Sequence, residues 1–176
     1  DKTVSASFFG LRQIKAIRRC LPPDALKTLI NAFVLSRVDY CSAIYLGQTK
    51  MQYNRLQSVL NSAARLIFGT GKFCHITPIL KSLHWLKFPE RVAYKVCHTV
   101  YKALNGVAPE YLAELLSQQF STSDLVLRSA VSGGARLNEP IRFCATRFGD
   151  RGFRNGAPLV WNKLPVEVRT ASTEAS

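Results

Sequence analysis

Apolar residues near the start of the chain recur every three or four positions, which is the spacing of one face of an α-helix. Over residues 8–20, basic residues fall between them, on the opposite side of the predicted helix: Arg12, Lys15, Arg18 and Arg19. Pro22 and Pro23 end this helix and suit the first turn of a second helix, which we predict to run to about Leu46. The pattern therefore predicts a first helix with one packed face and one cationic face.

The clearest helical period covers Lys50–Phe68 and stops at Gly69. The side opposite its apolar stripe carries small and basic residues: Arg55, Ser58, Ser62 and Arg65. Arg55 and Arg65 are ten positions apart, which on a helix is about 15 Å along the axis and about 80° in rotation, so one broad face can hold both. We predict that this face follows a phosphate backbone, with the two serines donating hydrogen bonds to it.

Three further helices are predicted at residues 77–84, 89–104 and 109–116, since a proline stands in the first turn of each. After Ser117 a polar link over residues 118–124 replaces the helical period, and we place a domain boundary there.

Beyond that link, residues 125–130 and 141–146 have strand-like character on either side of a glycine turn and can pair as a β-hairpin. Residues 153–164 return to a helical spacing. We therefore predict a mainly α fold, in which a helical bundle over residues 1–117 is followed by a small α+β segment over residues 118–176.

The charge balance adds a class of partner to this picture. The chain has 24 Lys and Arg residues against 11 Asp and Glu residues, a formal net charge of +13, which favours a polyanion such as RNA or DNA. The C-terminal segment is especially rich in arginine, whose planar fork suits phosphate. Its candidate contacts are Arg128, Arg136, Arg142, Arg147, Arg151 and Arg154. The alternative is a merely solvated charged face.

Several kinds of catalysis lack the residues they need. No two acidic residues are adjacent, so the sequence offers no obvious carboxylate cluster for the two metal ions of a polymerase or nuclease. A phosphate-cradling Gly-rich loop and a Gly-x-Ser-x-Gly motif are also missing. We expect this chain alone to be no enzyme and to bind no cofactor.

One group of sulfur and imidazole side chains could hold zinc or form a Cys-His nucleophile pair: Cys74, His75, His84, Cys97 and His98. Its spacing matches neither a zinc finger nor a zinc knuckle, and buried thiols with packed histidines are the preferred interpretation. Trp85 and Trp161 likewise could stack on bases, although each ends an apolar period and suits a core position better.

Neither a membrane span nor a secretory signal is predicted. The most apolar stretch, residues 26–46, is interrupted by three charged residues, and the first residues lack a basic segment followed by an apolar one. We therefore expect an intracellular protein.

A series of short motifs occurs in one order along nearly the whole chain. They read SRVDYCSA, NRLQ, NSAARL, HITP, LHWL, APEYL, GDR and WNKLP, from residue 36 to residue 165. Their order and spacing resemble the C-terminal portion of LINE-type, non-LTR retrotransposon reverse transcriptases.

The resemblance implies a helical, thumb-like region that grips the RNA template or the target DNA during target-primed reverse transcription. It also implies a catalytic palm and an endonuclease upstream, so we expect a fragment that works beside that palm in the nucleus and cytoplasm. No catalytic residue carries over, and Arg37, Asp39, Tyr40 and Trp161 carry over only as structural positions. The alternative is a stand-alone helical module that binds a protein, and a Cys-His enzyme is least favoured.

Overall fold

The computed structural model describes residues 2–117, 136, 137, 139 and 149–170, and these residues form helices, turns and loops with no β-strand among them. The prediction of a mainly α fold is thereby confirmed. The predicted β-hairpin, at residues 125–130 and 141–146, lies outside the described residues. In the part of the chain that is described, no helix is both long enough and apolar enough to cross a membrane.

The first helix is longer than its apolar period suggested. Helix α1 spans Lys2–Ile17 and continues as a 3₁₀ turn over Arg18–Cys20. Pro22 then adopts an extended conformation and caps α2, which spans Pro23–Ile30. The two prolines therefore end one helix and begin the next, as predicted, because proline lacks the N–H that would continue a helix but fits well in the first turn of one.

The second helix ends earlier than the sequence predicted. A π-helical turn over Asn31–Leu35 joins α2 to α3, which spans Ser36–Asp39 and stops well before Leu46. Cys41 takes a left-handed conformation with a φ of 49°, and a 3₁₀ turn follows over Ser42–Tyr45. Neither glycine nor proline marks this end in the sequence; it coincides instead with a long-range ion pair of Asp39, described below.

The central helices follow the prediction more closely. Helix α4 spans Lys50–Phe68, with the predicted bounds at both ends. Helix α5 spans Ile76–Ser82 and so begins one residue before the predicted threonine. Helices α6 and α7 span Phe88–Leu104 and Glu110–Ser117.

The last described region contains two helices where one was predicted. Helix α8 spans Phe153–Trp161 and tolerates Pro158 within it, and the short α9 spans Val166–Arg169. Leu164 and Pro165 separate the two, since Pro165 is extended and caps α9.

The chain divides into two compact units. The first unit is Asp1–Ser42 with Gln48–Val92, and the second unit is Ala43–Gly47 with Ala93–Ser176. This division falls within α6, and the boundary predicted at residues 118–124 lies outside the described residues. The physical reason is that the side chains of α6 beyond Val92 share a core with α7 and α8, although its backbone is continuous.

In the first unit, α1 packs against α3 and α4, α2 packs against α4, and α4 packs against α5. Apolar side chains from these helices are excluded from water, which is what stabilises such short helices. Those with 5% exposure or less on α1, α2, the π turn, α3 and α4 are Ile14, Leu26, Ile30, Val34, Val38, Leu56, Val59, Leu60, Ala63 and Ala64.

Two polar contacts fix the start of α6 within this unit. Arg91 forms a bidentate ion pair with Asp39, with Nε to Oδ1 at 3.0 Å and Nη2 to Oδ2 at 2.5 Å. The amide oxygen of Gln57, on α4, accepts the backbone N–H of Phe88 at 2.7 Å. Because the first N–H groups of a helix have no partner within it, Gln57 satisfies a donor that burial would otherwise penalise.

The core of the second unit surrounds Trp161, which is 2% exposed and packs with buried residues from α6, α7 and α8, together with Leu137. Gly156, on α8, lets Leu46 approach so closely that a Cβ there would lie 2.5 Å from its Cδ2 atom. Trp161 therefore occupies a core position in the structure and is unavailable for stacking on a base.

The next residue, Asn162, forms hydrogen bonds with both backbone groups of the buried Leu137. Its Nδ2 donates to the carbonyl of Leu137 at 2.7 Å, and its Oδ1 accepts the backbone N–H of Leu137 at 3.0 Å. The Asn162 side chain thereby satisfies both the N–H and the carbonyl of the buried Leu137, as a neighbouring β-strand would do in a sheet.

We expect Asn162→Ala to lower the free energy of unfolding by about 1 to 3 kcal/mol, since it leaves two backbone groups without a partner. The matched control is Asn105→Ala, whose amide bonds only the nearby Tyr101 carbonyl on the surface, and there we expect a change within about 0.5 kcal/mol. Urea unfolding of both variants measures the difference. Equal losses would show that the Leu137 contact contributes nothing specific.

Candidate nucleic-acid interface

Helix α1, helix α4 and the loop after α4 line an open groove with a volume of about 590 Å³. All the lining residues belong to the first unit. The lining combines cationic, small polar and apolar side chains, which are Phe8, Leu11, Arg12, Lys15, Arg18, Ser58, Asn61, Ser62, Arg65, Leu66, Gly69, Thr70 and Lys72.

The α1 wall follows from helical spacing. Arg12, Lys15 and Arg18 are three positions apart, so they lie along one side of the helix and its 3₁₀ extension. Leu11 and Ile14, which are 6% and 5% exposed, turn the neighbouring side of α1 into the core. The same packing that buries the apolar stripe therefore places the cationic side at the edge of α4.

The α4 wall presents Ser58, Ser62 and Arg65, spaced by four and three residues on one side of that helix. The Ser58 hydroxyl donates to the carbonyl of Arg55 at 2.7 Å. Donation from Ser58 to a phosphate, as the sequence suggested, therefore requires that this bond be exchanged.

Asn61 is held in the groove by a neighbour on α4. The Nε2 of Gln57 donates to the Oδ1 of Asn61 at 2.8 Å, while the other end of the same amide accepts the N–H of Phe88. Gln57 thus joins the start of α6 to the groove wall. Its bond to the Asn61 oxygen leaves the Asn61 amide nitrogen as that side chain's donor group.

Gly69 closes the end of the groove. Its φ of 69° is left-handed, and the N–H of Gly69 and that of Thr70 both reach back to the carbonyl of Arg65, which ends α4. The Arg18 guanidinium lies so close that a Cβ at this position would collide with it. The left-handed conformation favours glycine here, and any other residue would also require the end of the flexible Arg18 side chain to move.

The groove is strongly cationic. Among the described residues that line it, five are basic and none is acidic: Arg12, Lys15, Arg18, Arg65 and Lys72. Arg65 is held in place by a bond from its Nη2 to the carbonyl of Cys74 at 3.4 Å. Its Nε is buried and has no hydrogen-bond partner among the residues that the structure describes. Positive charge lining a concave surface focuses the field and attracts anions.

The predicted contact residues divide between several places. Arg12, Lys15, Arg18 and Arg65 come together in the groove. Arg19 and Arg55 are exposed on the first unit but do not line the groove. Arg55 and Arg65, which were predicted to share one broad face of α4, therefore do not both belong to the groove.

The C-terminal arginines belong to the other unit. Arg151 and Arg154 lie in the second unit, where Arg151 packs against Gly47, and Arg136 is exposed there. Arg128, Arg142 and Arg147 lie outside the described residues. Lys72 and Asn61 also line the groove, although neither was predicted as a contact residue. The Gly-Thr-Gly-Lys sequence after α4 could have pointed to Lys72, because it places a lysine in a loop directly after a basic helix.

A second, smaller depression of about 420 Å³ adjoins Trp85. Its lining includes Lys81, His84 and Lys87, but also Glu90, whose carboxylate accepts the N–H of Lys87 at 3.2 Å. Trp85 is half-buried and packs on the α4 and α5 core cluster. Because the lining of this depression carries both charges, it is a weaker candidate than the groove for a polyanion-binding site.

The cysteine and histidine side chains do not converge. In the described part of the chain no three His, Cys, Asp or Glu side chains form a group that could hold a metal ion. The preference for buried thiols and packed histidines is wrong for Cys74, His75 and His84, which are exposed on the first unit. Cys97 is buried and His98 stacks on Tyr94, both in the second unit. Burial raises the pKa of the Cys97 thiol.

We expect alkylation at about pH 8 to modify Cys20, Cys41 and Cys74 well before Cys97, because the thiolate is the reactive form and a raised pKa lowers its fraction. Cys97 should react faster only at higher pH or after unfolding in urea. Peptide mass spectrometry after timed iodoacetamide treatment provides the measurement. Labelling of Cys97 at the rate of Cys74 would contradict its burial and reopen a nucleophilic role.

No protein-family model, curated protein or solved structure matches the chain. The resemblance to non-LTR reverse transcriptases therefore stays a prediction that rests on the motifs alone.

Proposed function

We propose that this chain is a non-catalytic nucleic-acid-binding segment and that the α1 and α4 groove holds the phosphate backbone. The observation that carries the proposal is the convergence of five cationic side chains from two helices and a loop, in a groove to which no acidic residue of the described part of the chain contributes. A charge imbalance spread over a whole surface can be merely solvated. Cations gathered in one concavity without counter-charges favour an anionic ligand.

The chemistry of the lining suits backbone contact rather than base reading. Guanidinium groups bind phosphate oxygens through paired hydrogen bonds, and small polar side chains add donors. Arg12 and Arg18 are six residues apart, about 9 Å along the helix axis, which matches the axial rise of two to three nucleotides in one strand. Binding of this kind releases condensed counterions and depends little on sequence.

Within a reverse transcriptase of the type that the motifs resemble, the groove would grip the RNA template or the target DNA beside the palm. The proposal assigns the catalytic step to that palm and none to this chain. It places the parent protein in the nucleus and cytoplasm, where such elements are copied and inserted.

A protein-binding module is the second candidate function. It is favoured by exposed phenylalanines on two elements that contact each other: Phe9, on α1, is 57% exposed and Phe33, on the π turn, is 54% exposed. Large apolar side chains left in water are a common mark of a protein contact. If the chain binds a protein through this surface and binds no nucleic acid at low salt, the protein-binding function is the correct one.

We expect Arg12→Gln combined with Lys15→Gln to weaken binding to RNA and DNA of any sequence and to lower the salt slope by about 1.5 to 2, since two phosphate contacts are lost. Fluorescence anisotropy titrations at several salt concentrations measure both quantities. The matched control combines Lys27→Gln with Arg37→Gln, which removes the same charge from exposed positions outside the groove.

The control separates local contacts from net charge. If the two double variants lose affinity and slope equally, the overall charge binds nucleic acid and the groove has no special part. If the unmodified chain does not bind at low salt, or binds with no salt dependence, the proposed function is wrong.

A further inference from the structure

The loop between α4 and α5 exposes the aromatic ring of a residue that directly follows a lining residue of the groove. Phe73 is 96% exposed, more than any other large apolar side chain in the described part of the chain. It directly follows Lys72, which lines the groove, so the two Cα atoms are about 3.8 Å apart. An aromatic ring in full contact with water is available to a ligand.

The loop holds this ring outward in a defined turn. The N–H of Cys74 donates to the carbonyl of Gly71 at 3.2 Å, which places Lys72 and Phe73 at the two central positions of the turn. Arg65 donates to the carbonyl of Cys74 and so ties the turn to α4. An aromatic ring on a fixed turn loses less freedom when a ligand stacks on it than one on a free segment does.

The groove itself also offers apolar surface between its cations. Phe8, Leu11 and Leu66 contribute to the same lining as the five basic side chains. A duplex presents phosphates to a protein but keeps the faces of its bases stacked inside the helix. A single strand presents both its phosphates and the faces of its bases, and grooves for single strands combine cations with aromatic rings for that reason.

We propose that the groove binds single-stranded nucleic acid, with one base stacked on Phe73 and the neighbouring phosphates held by Lys72, Arg65 and Arg18. This inference rests on the proposed function and adds the class of ligand to it. The stacked base is recognised by its face, so any of the bases can occupy the position. Duplex DNA engages the cations alone and binds more weakly.

The decisive comparison is between two single strands that carry the same number of phosphates and differ only in whether bases are present; a duplex is the third ligand. The full chain is titrated with an oligothymidylate of about 20 nucleotides, with an abasic strand of the same length, and with the corresponding duplex. We expect the oligothymidylate to bind about tenfold more tightly than the abasic strand, a ratio typical of one stacked base. Phe73→Ala should bring this ratio close to one while the salt slope stays unchanged.

Three further variants test whether the aromatic ring of Phe73, rather than its apolar volume or any exposed ring, is what stacks on the base. Phe73→Leu keeps the apolar volume without the ring and should behave as Phe73→Ala, whereas Phe73→Tyr keeps the ring and should preserve the ratio. Phe33→Ala removes an exposed ring whose neighbours along the chain do not line the groove, and it should also preserve the ratio. Because Phe73 makes so little contact with the rest of the protein, we expect all its variants to keep the circular dichroism of the unmodified chain.

The outcomes distinguish the two proposals. Salt-dependent binding with equal affinity for the oligothymidylate and the abasic strand, or tighter binding of the duplex, overturns the single-strand inference and leaves backbone binding in place. An oligothymidylate preference that survives Phe73→Ala overturns the role of Phe73. Failure of every ligand to bind at low salt overturns the proposed function as well.

Discussion

Helices α1 and α4 are each amphipathic, and their apolar stripes cannot be buried against one another without bringing their cationic margins together. Leu11 and Ile14 are drawn into the core, and Arg12, Lys15 and Arg18 follow to the rim of the groove. Burial of apolar surface drives this packing, whereas the repulsion among the cations opposes it. An anionic ligand would remove this opposition, so the packing that forms the first unit also creates the groove for which we propose such a ligand.

The remaining features of the first unit fix that arrangement in place. Gly69 ends α4 where the Arg18 guanidinium comes to rest, and a side chain at this position would separate the two. Gln57 joins the groove wall to the start of α6, and Asp39 holds Arg91 on the same helix. Gly69, Gln57 and Asp39 therefore hold the helices and their ends in place, and none of the three contributes positive charge to the lining of the groove.

The sequence predicted the parts of this structure that depend on local signals. Helix α4 has the expected bounds because a strong apolar period ends at a glycine that can adopt a left-handed conformation. The early end of α3 was missed because it coincides with an ion pair between residues 52 positions apart, which no local pattern encodes. The division within α6 was missed because a regular helical period does not show which core each turn of the helix joins.

The same distinction applies to the candidate site. The cationic side of α1 was predicted from its spacing, and the structure places three of its four residues in the groove. Arg55 and Arg65 looked equivalent, since only the position of α1 decides which side of α4 lines the groove. The roles proposed for Lys72 and Phe73 depend on a turn that Arg65 ties to α4, and only the glycines around it signal this turn in the sequence.

The central claim, that the groove is where nucleic acid binds, is tested most directly by lysine footprinting. The chain is acetylated with and without a saturating oligothymidylate, and the modified lysines are quantified by peptide mass spectrometry. We predict strong protection of Lys15 and Lys72, which line the groove, and little protection of Lys27 and Lys81, which are exposed on the same unit. Bound nucleic acid that leaves Lys15 and Lys72 as reactive as they are in the free chain would contradict the account.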